Sequence, residues 1–113
     1  MYQEWPEELD ALIAAPGNHK LVFENETVRV LETSIAPGET TPLHTHRWPC
    51  ALYIVSSSDY VRRDSEGRVT SDSRTGKKLP DGSTVWLEPL EPHTLENVGE
   101  RDLRTINVEV KRG

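Results

Sequence analysis

Apolar and polar residues alternate with a period of two along most of this chain, and turn-forming residues separate the alternating segments. Between residues 27 and 35, for example, Val28 and Val30 fall on one side and Arg29 falls on the other. Because successive side chains of a β-strand point to opposite faces, this pattern predicts strands. Strands are predicted at residues 21–24, 27–35, 41–46, 51–55, 60–63, 69–73, 84–87, 93–97 and 103–110.

Two segments depart from this alternation. Residues 51–55 are apolar without interruption, which predicts a central strand covered on both faces. Residues 6–15 carry Leu9, Leu12 and Ile13 at helical spacing, and Pro16 follows this segment. The sequence therefore predicts one short helix, over 6–15, ahead of the strands.

Gly, Pro and Asn recur between the strands at roughly the eight- to twelve-residue spacing that is typical of β-sandwiches and barrels. Strands separated by long helical segments, as in parallel βαβ folds, do not occur in the pattern. We therefore predict an all-β barrel or sandwich. The hydrophilic stretch 56–82 is expected to form a long hairpin or loop at one end of it.

The composition excludes several classes of protein. The chain has 113 residues, which suits one domain over 1–113, and its charge is 13 − 19 = −6 at pH 7. Such an acidic chain, with scattered Lys and Arg, is not expected to bind nucleic acid or an anionic membrane. No apolar run approaches the roughly 20 residues of a membrane span, and no secretory signal is evident. A single cysteine, Cys50, suits the reducing cytoplasm, where we expect the protein.

The histidines suggest a specific chemistry. His44 and His46 are two residues apart in a predicted strand, so both imidazoles share one face. Imidazole nitrogen binds divalent Fe, Zn, Ni or Cu, and His93 on a later strand is the obvious third ligand. His19, by contrast, is interpreted as an isolated surface or turn residue. The sequence therefore predicts a divalent metal site, with the identity of the ion (Fe, Zn, Ni, Mn or Cu) left open.

Two longer patterns carry a family resemblance. Gly38 is followed, after five residues, by His44-Thr45-His46, within a segment at 38–57; Gly82 is followed, after ten residues, by His93 and then by Asn97, within 82–97. Together they resemble the two motifs of the cupin superfamily. The resemblance implies a single cupin-type jelly-roll β-barrel, with a metal held at its mouth by His44, His46 and His93.

The resemblance is incomplete in the first motif. Cupins usually carry a glutamate ligand separated from the second histidine by three or four residues, where this chain has Cys50 and Ala51. Loss of the carboxylate leaves a neutral three-histidine face, which is similar to that of the iron-dependent cupin oxygenases. Cys50 has three interpretations: a fourth, thiolate ligand, an unligated thiol in the pocket, or a small buried residue.

The leading functional hypothesis is therefore a metal-dependent, dioxygenase-like enzyme acting on a small molecule. The alternative is a non-catalytic module that binds or senses a small ligand; a metal-free isomerase-like or structural cupin is a third reading. Three aromatic residues could line the pocket or simply pack in the core: Trp48, Tyr53 and Trp86. A homodimer is expected, with residues 105–110 as the strand at its interface.

Overall fold

The computed structural model describes residues 5–76 and 78–111. These residues form two antiparallel β-sheets, and the cavity lies between them. The strands are β1 His19–Glu24, β2 Val28–Ile35, β3 His44–His46, β4 Cys50–Ser56, β5 Tyr60–Asp64, β6 Val69–Asp72, β7 Thr84–Leu87, β8 Leu90–Asn97 and β9 Leu103–Val110. The all-β jelly-roll architecture predicted from the alternating pattern is confirmed.

The order of strands in the two sheets places segments that are distant in sequence side by side. The larger sheet has the order β1-β2-β9-β4-β7 and the smaller sheet β3-β8-β5-β6. In the smaller sheet, His44 is the direct partner of His93. The two histidine-bearing segments of the sequence are therefore neighbouring strands. The hydrophilic stretch 56–82 contains the β5–β6 hairpin, as expected.

Turn chemistry accounts for the connections. The Asn25 side chain accepts hydrogen bonds from the backbone amides of Thr27 and Val28, and so closes the β1–β2 hairpin. Gly38 and Gly82 adopt φ values of 82° and 81°, a left-handed conformation that residues with a Cβ rarely take up. Both glycines of the motif-like segments are thus needed for the turns that precede the histidines.

Asn97 fastens the end of β8 to its surroundings. Its buried side-chain amide donates to the carbonyl oxygens of Ile35 and Arg101, each at 2.8 Å. Its oxygen accepts from the Gly99 amide at 2.9 Å and from the Ser58 hydroxyl at 2.8 Å. Asn97 therefore holds the strand that carries His93, and the motif asparagine has a structural role.

The second half of β9, in the larger sheet, reverses the usual distribution of polar and apolar residues. On β9, Thr105, Asn107 and Glu109 point inward and are buried, whereas Ile106 and Val108 point outward. An antiparallel sheet with one solvated face normally has apolar residues inside and polar residues outside. The interior facing the cavity is therefore polar over part of its area, and the outer face is apolar.

The prediction that residues 51–55 are covered on both faces is wrong. Strand β4 is flanked by β9 and β7, but only alternate side chains are buried. Cys50 and Ile54 face the interior, whereas Tyr53 and Val55 are exposed on the apolar outer face. Uninterrupted hydrophobicity reflects this outer face rather than a second covering layer.

The helix predicted over 6–15 is interrupted at its centre. A 3-10 turn spans Glu7–Leu9 and a single α-helical turn, α1, spans Ala11–Ala14. Between them Asp10 has ψ of 142°, because its side chain caps the amide of Leu12 and binds Arg29. The Asp10 interactions override the helical propensity of the segment.

Strand β9 also corrects the expected dimer contact. It lies between β2 and β4, so residues 105–110 are not an edge available for pairing with another chain. The edges of the larger sheet are β1 and β7. Within the described residues no helix has the length and apolar character that crossing a membrane requires.

Candidate metal centre

The four histidines of the chain lie together at one end of the cavity. The ring centroids of His44 and His93 are 4.4 Å apart, and those of His44 and His46 are 5.0 Å apart. His19 lies 4.8 Å from His44 and 5.3 Å from His46 by the same measure. The three residues predicted from the sequence are brought together, and His19 joins them.

The strands explain this convergence. His44 and His46 occupy alternate positions on β3 and so share its inner face, and pairing with β8 brings His93 beside His44. His19 begins β1 in the opposite sheet and is only 5% exposed. The interpretation of His19 as an isolated surface or turn residue is therefore wrong, because the facing of the two sheets places it over β3.

Hydrogen bonds fix the same tautomer in at least three of the rings. The Nδ1 atoms of His19, His44 and His93 lie 3.0, 2.8 and 2.6 Å from the backbone carbonyl oxygens of Ala15, Pro42 and Glu91. A carbonyl oxygen only accepts, so each Nδ1 carries the proton. Each Nε2 of these rings then keeps a free lone pair. This arrangement matches the outer hydrogen bonds that orient metal-ligating histidines.

His46 is oriented by a carboxylate instead of a carbonyl group. Its Nδ1 lies 3.2 Å from Oε2 of Glu109, a residue with no exposed surface. The other Glu109 oxygen accepts a hydrogen bond of 2.6 Å from Nε of Arg29. Arg29 in turn donates to both carboxylate oxygens of Asp10, at 2.9 and 3.0 Å. A buried chain of charges therefore ends on the His46 ring.

Burial and pairing shift the pKa values of these groups in different directions. Burial opposes the charged form of Asp10, but hydrogen bonds from Arg29 outweigh it and lower the pKa of Asp10. Burial raises the pKa of Glu109, and Arg29 opposes that rise. Burial also lowers the pKa values of His19 and His46 to about 3. It lowers the pKa of His44 and takes that of His93 well below its ordinary value.

The donor set fits a divalent transition metal. One ligand atom from each of His19, His44 and His46 lies within 4.8 Å of the others. Metal–nitrogen bonds of about 2.1 Å require donor atoms no more than about 4.2 Å apart, so small ring rotations close the site. Neutral imidazole is a good ligand for Zn, Cu, Fe and Ni. The ring centroid of His93 lies 4.4 Å from that of His44, but its donor atom falls outside this group of three.

The histidines open into a cavity of about 120 Å³. Its walls include apolar side chains from both sheets, Ile35, Leu52, Ile54, Leu87, Leu95 and Leu103. Polar groups line the cavity as well, among them Tyr60, Arg62 and Lys78. A volume close to the roughly 150 Å³ that accommodates benzene in an engineered protein cavity restricts the occupant to a small molecule.

The other predicted site residues divide into two groups. Trp48 and Cys50 line the cavity, as the sequence suggested. Burial raises the pKa of the Cys50 thiol to about 12, so the free thiol is protonated at neutral pH. Tyr53 and Trp86, however, are 45% and 48% exposed on the outer face, where strand alternation directs them away from the cavity. Their assignment as pocket-lining residues is corrected.

Solved structures with the same architecture identify the fold. A cupin-domain protein from Bordetella pertussis superposes with a TM-score of 0.68 and 22% identity, over 83% of this chain and 92% of that chain. The chain has the cupin fold. An RmlC-like cupin from Methanocaldococcus jannaschii (TM-score 0.59, 13% identity) aligns over 97% of this chain and 88% of its own. The polyketide cyclase RemF from Streptomyces resistomycificus aligns with a TM-score of 0.56 and 19% identity, over 81% of this chain and 63% of that chain.

The sequence itself has no such matches: no protein-family model fits it, and no curated protein is similar to it. Within the cupin fold, the position of the missing motif glutamate is occupied by Cys50 at the cavity wall. Two residues outside both motif-like segments belong to the site. His19 adds an imidazole to the group of donor atoms, and the Glu109 carboxylate lies beside Nδ1 of His46. Glu109 could have been noticed as a charge in the alternating apolar strand 103–110, on the same face as Thr105.

The buried neutral histidines predict a loss of stability in acid. In the unfolded chain each imidazole takes up a proton near pH 6.5, whereas in the folded metal-free protein His19 and His46 remain neutral down to about pH 3. As the pH falls through this interval, the unfolded chain therefore binds more protons and the free energy of unfolding decreases. Each such histidine contributes roughly 1 kcal/mol per pH unit.

Urea unfolding of chelator-treated protein between pH 7.5 and pH 5 measures this effect. A His44→Gln variant, which has one fewer buried imidazole, is expected to show a shallower dependence. A free energy of unfolding that is constant over this range, or an unchanged slope in the variant, would contradict the assignment of buried neutral histidines.

Proposed function

We propose that this cupin binds a divalent transition-metal ion through Nε2 of His19, His44, His46 and His93. The observation that carries the proposal is the hydrogen bonding of all four Nδ1 atoms, to three carbonyl groups and one carboxylate. It leaves the Nε2 atoms as the ligating atoms of four adjacent rings. When bound, the ion supplies a Lewis acid and an attachment point for a small molecule or oxygen.

The chain's own residues prepare this site. Glu109 and the carbonyl groups hold the imidazoles in place, so ligand binding requires little reorganisation. The apolar walls, such as Ile54 and Leu95, exclude water from the small molecule beside the histidines. Cys50 serves as a wall residue in this proposal, since its thiol is protonated at neutral pH.

The activity that we propose is oxygenation of a small molecule, with iron as the metal. A neutral, carboxylate-free donor set and the adjoining apolar cavity support it. RemF is named as a polyketide cyclase, which is an enzyme, so the fold is compatible with catalysis. Non-catalytic ligand binding is the second candidate, and the fourth histidine favours it, because a further protein ligand leaves fewer positions open. A cytoplasmic location, with iron available in reduced form, belongs to the same proposal.

Metal analysis tests the site. We expect untagged protein, reconstituted without oxygen, to contain close to one equivalent of a transition metal by plasma mass spectrometry. The double variant His44→Ala/His46→Ala should contain none, and His19→Ala should bind metal at least about tenfold more weakly, because a ligand is lost. Cys50→Ala is the matched control from the same cavity and should retain the ion. Loss of metal in that control would instead make Cys50 a ligand, and metal-free wild-type protein would refute the site.

Oxygen consumption separates the two candidate functions. Iron-loaded protein incubated with a panel of small carboxylic acids and thiols is expected to consume oxygen with one substrate, and the double variant should not. Ligand-dependent increases in melting temperature without oxygen uptake would support the binding module over the oxygenase.

We propose further that the protein is a homodimer through the outer face of the larger sheet. One row of paired residues crosses all five strands of this face, and every member is apolar: Phe23, Val30, Val108, Ala51 and Trp86. Five strands about 4.8 Å apart, four to eight residues long, form a face of roughly 540 Å². One side of a standard interface buries about 600–1,000 Å². A second copy of the same apolar face is the partner of matching area and chemistry, with the Glu32–Arg104 ion pair on the same face.

A charge placed in this face should dissociate the dimer. Light scattering coupled to size-exclusion chromatography is expected to give twice the chain mass for the wild type and a monomer for Ile106→Lys, because a buried unpaired lysine is costly. Val69→Lys, at an exposed apolar position on β6 of the other sheet, is the matched control and should remain dimeric. A wild-type monomer at micromolar concentration would refute this interface.

A further inference from the structure

Among the described residues, Arg62 is a cavity-lining arginine that has no carboxylate within ion-pair distance. It lies on β5, directly opposite Leu95 of β8, and its side chain lines the cavity. Within the described residues its hydrogen-bond partner is the Thr70 hydroxyl, 3.4 Å from its Nε. Such a long, neutral contact leaves most of the five guanidinium donors available.

The other arginines of the described chain differ from Arg62. Six of them bind carboxylates: Arg29, Arg63, Arg68, Arg74, Arg101 and Arg104. Arg47 stacks 4.5 Å from the ring of Trp48 and lies outside the cavity. Among the cavity-lining cations of the described chain, Arg62 is therefore the one whose guanidinium has no ion-pair partner, and its half-buried position leaves it open to a ligand of opposite charge.

The surroundings of Arg62 define that ligand. Arg62 pairs with Leu95, which is two residues from His93 on β8, and Arg62 and His93 both line the cavity. Lys78 also lines the cavity, but it is paired with Asp59 at 3.2 Å. The walls between these groups carry apolar side chains, such as Leu95 and Leu103, together with the hydroxyl groups of several Ser and Thr residues. Glu88, the carboxylate in the lining, accepts a hydrogen bond of 2.6 Å from Nε1 of Trp86. The cavity thus offers one free fork of N–H donors, an apolar section and the histidines.

We infer that the cavity recognises a small carboxylate with an apolar body, and that Arg62 is the residue that binds its carboxylate group. The planar guanidinium matches a carboxylate through two parallel hydrogen bonds. A single free arginine in an apolar cavity of about 120 Å³ suits a monoanion better than a phosphate dianion. The inference rests on the proposed function in that it names the ligand class of the same cavity.

Carboxylate binding to the protein can be measured independently of activity. Isothermal titration with 3-methylbutanoate and benzoate, each compared with its neutral amide, is performed on both metal-free and metal-loaded protein. We expect the acids to bind at least tenfold more tightly than the amides. Arg62→Gln should remove this preference, and Arg62→Lys, which keeps the charge but not the fork, should restore part of it.

Arg63→Gln is the matched control, because Arg63 is the next residue on β5 and pairs with Glu96 instead of facing the cavity. It should bind the acids like the wild type. The inference would be overturned if no acid binds to the wild type, if the amides bind equally well, or if Arg62→Gln binds the acids with unchanged affinity. Metal content, measured on the same samples, separates this result from a failure of the metal site: Arg62→Gln should keep its metal.

Discussion

The site depends on the ion pairs that the buried guanidinium of Arg29 makes with Asp10 and Glu109. The guanidinium joins Asp10 ahead of α1, β2 and Glu109 of β9, three segments that are far apart in sequence. Removing one partner of a buried ion pair typically costs about 3–5 kcal/mol, because the other charge is left unpaired in a poorly solvated interior. A fully bonded network of this kind specifies one arrangement of the strands, and Glu109 transmits that arrangement to His46.

This network also explains the unusual distribution of polar residues in the larger sheet. Arg29, Asn107 and Glu109 lie in the interior because their partners are there, and they share it with apolar residues such as Leu31 and Leu103. Other apolar residues of these two strands, among them Val30 and Val108, lie on the opposite face. A large exposed apolar face of this kind is typical of a surface that contacts another protein. The polarity of the metal centre and the proposed dimer interface are in this way two consequences of one alternating pattern.

Much of the fold could be predicted because its signals are local. Alternation located the strands, and the Gly, Pro and Asn residues between them, such as Asn25, Gly38 and Gly82, marked the turns. The spacing of His44 and His46 fixed their common face. The resemblance of the motif-like segments to cupins then supplied the pairing with His93, which periodicity alone does not provide.

The remaining errors concern which side chains face each other between the two sheets and which face outward. His19 carries no motif, and its place beside His44 follows from the packing of β1 over β3. An apolar run does not reveal whether its outer side is covered by the same chain, so residues 51–55 and the aromatic residues Tyr53 and Trp86 were misplaced. The hydrophobicity of these positions was interpreted as internal packing, whereas the structure exposes them.

The central claim is that the Nε2 atoms of the four histidines hold a metal ion. Anomalous diffraction from crystals of metal-loaded protein, recorded at the absorption edge of the bound metal, tests it most directly. The account predicts one peak about 2.1 Å from Nε2 of His44 and His46, with His19 and His93 completing the ligands and Glu109 still on Nδ1 of His46. A cavity without a peak, or a peak bound through Nδ1 atoms, would contradict it.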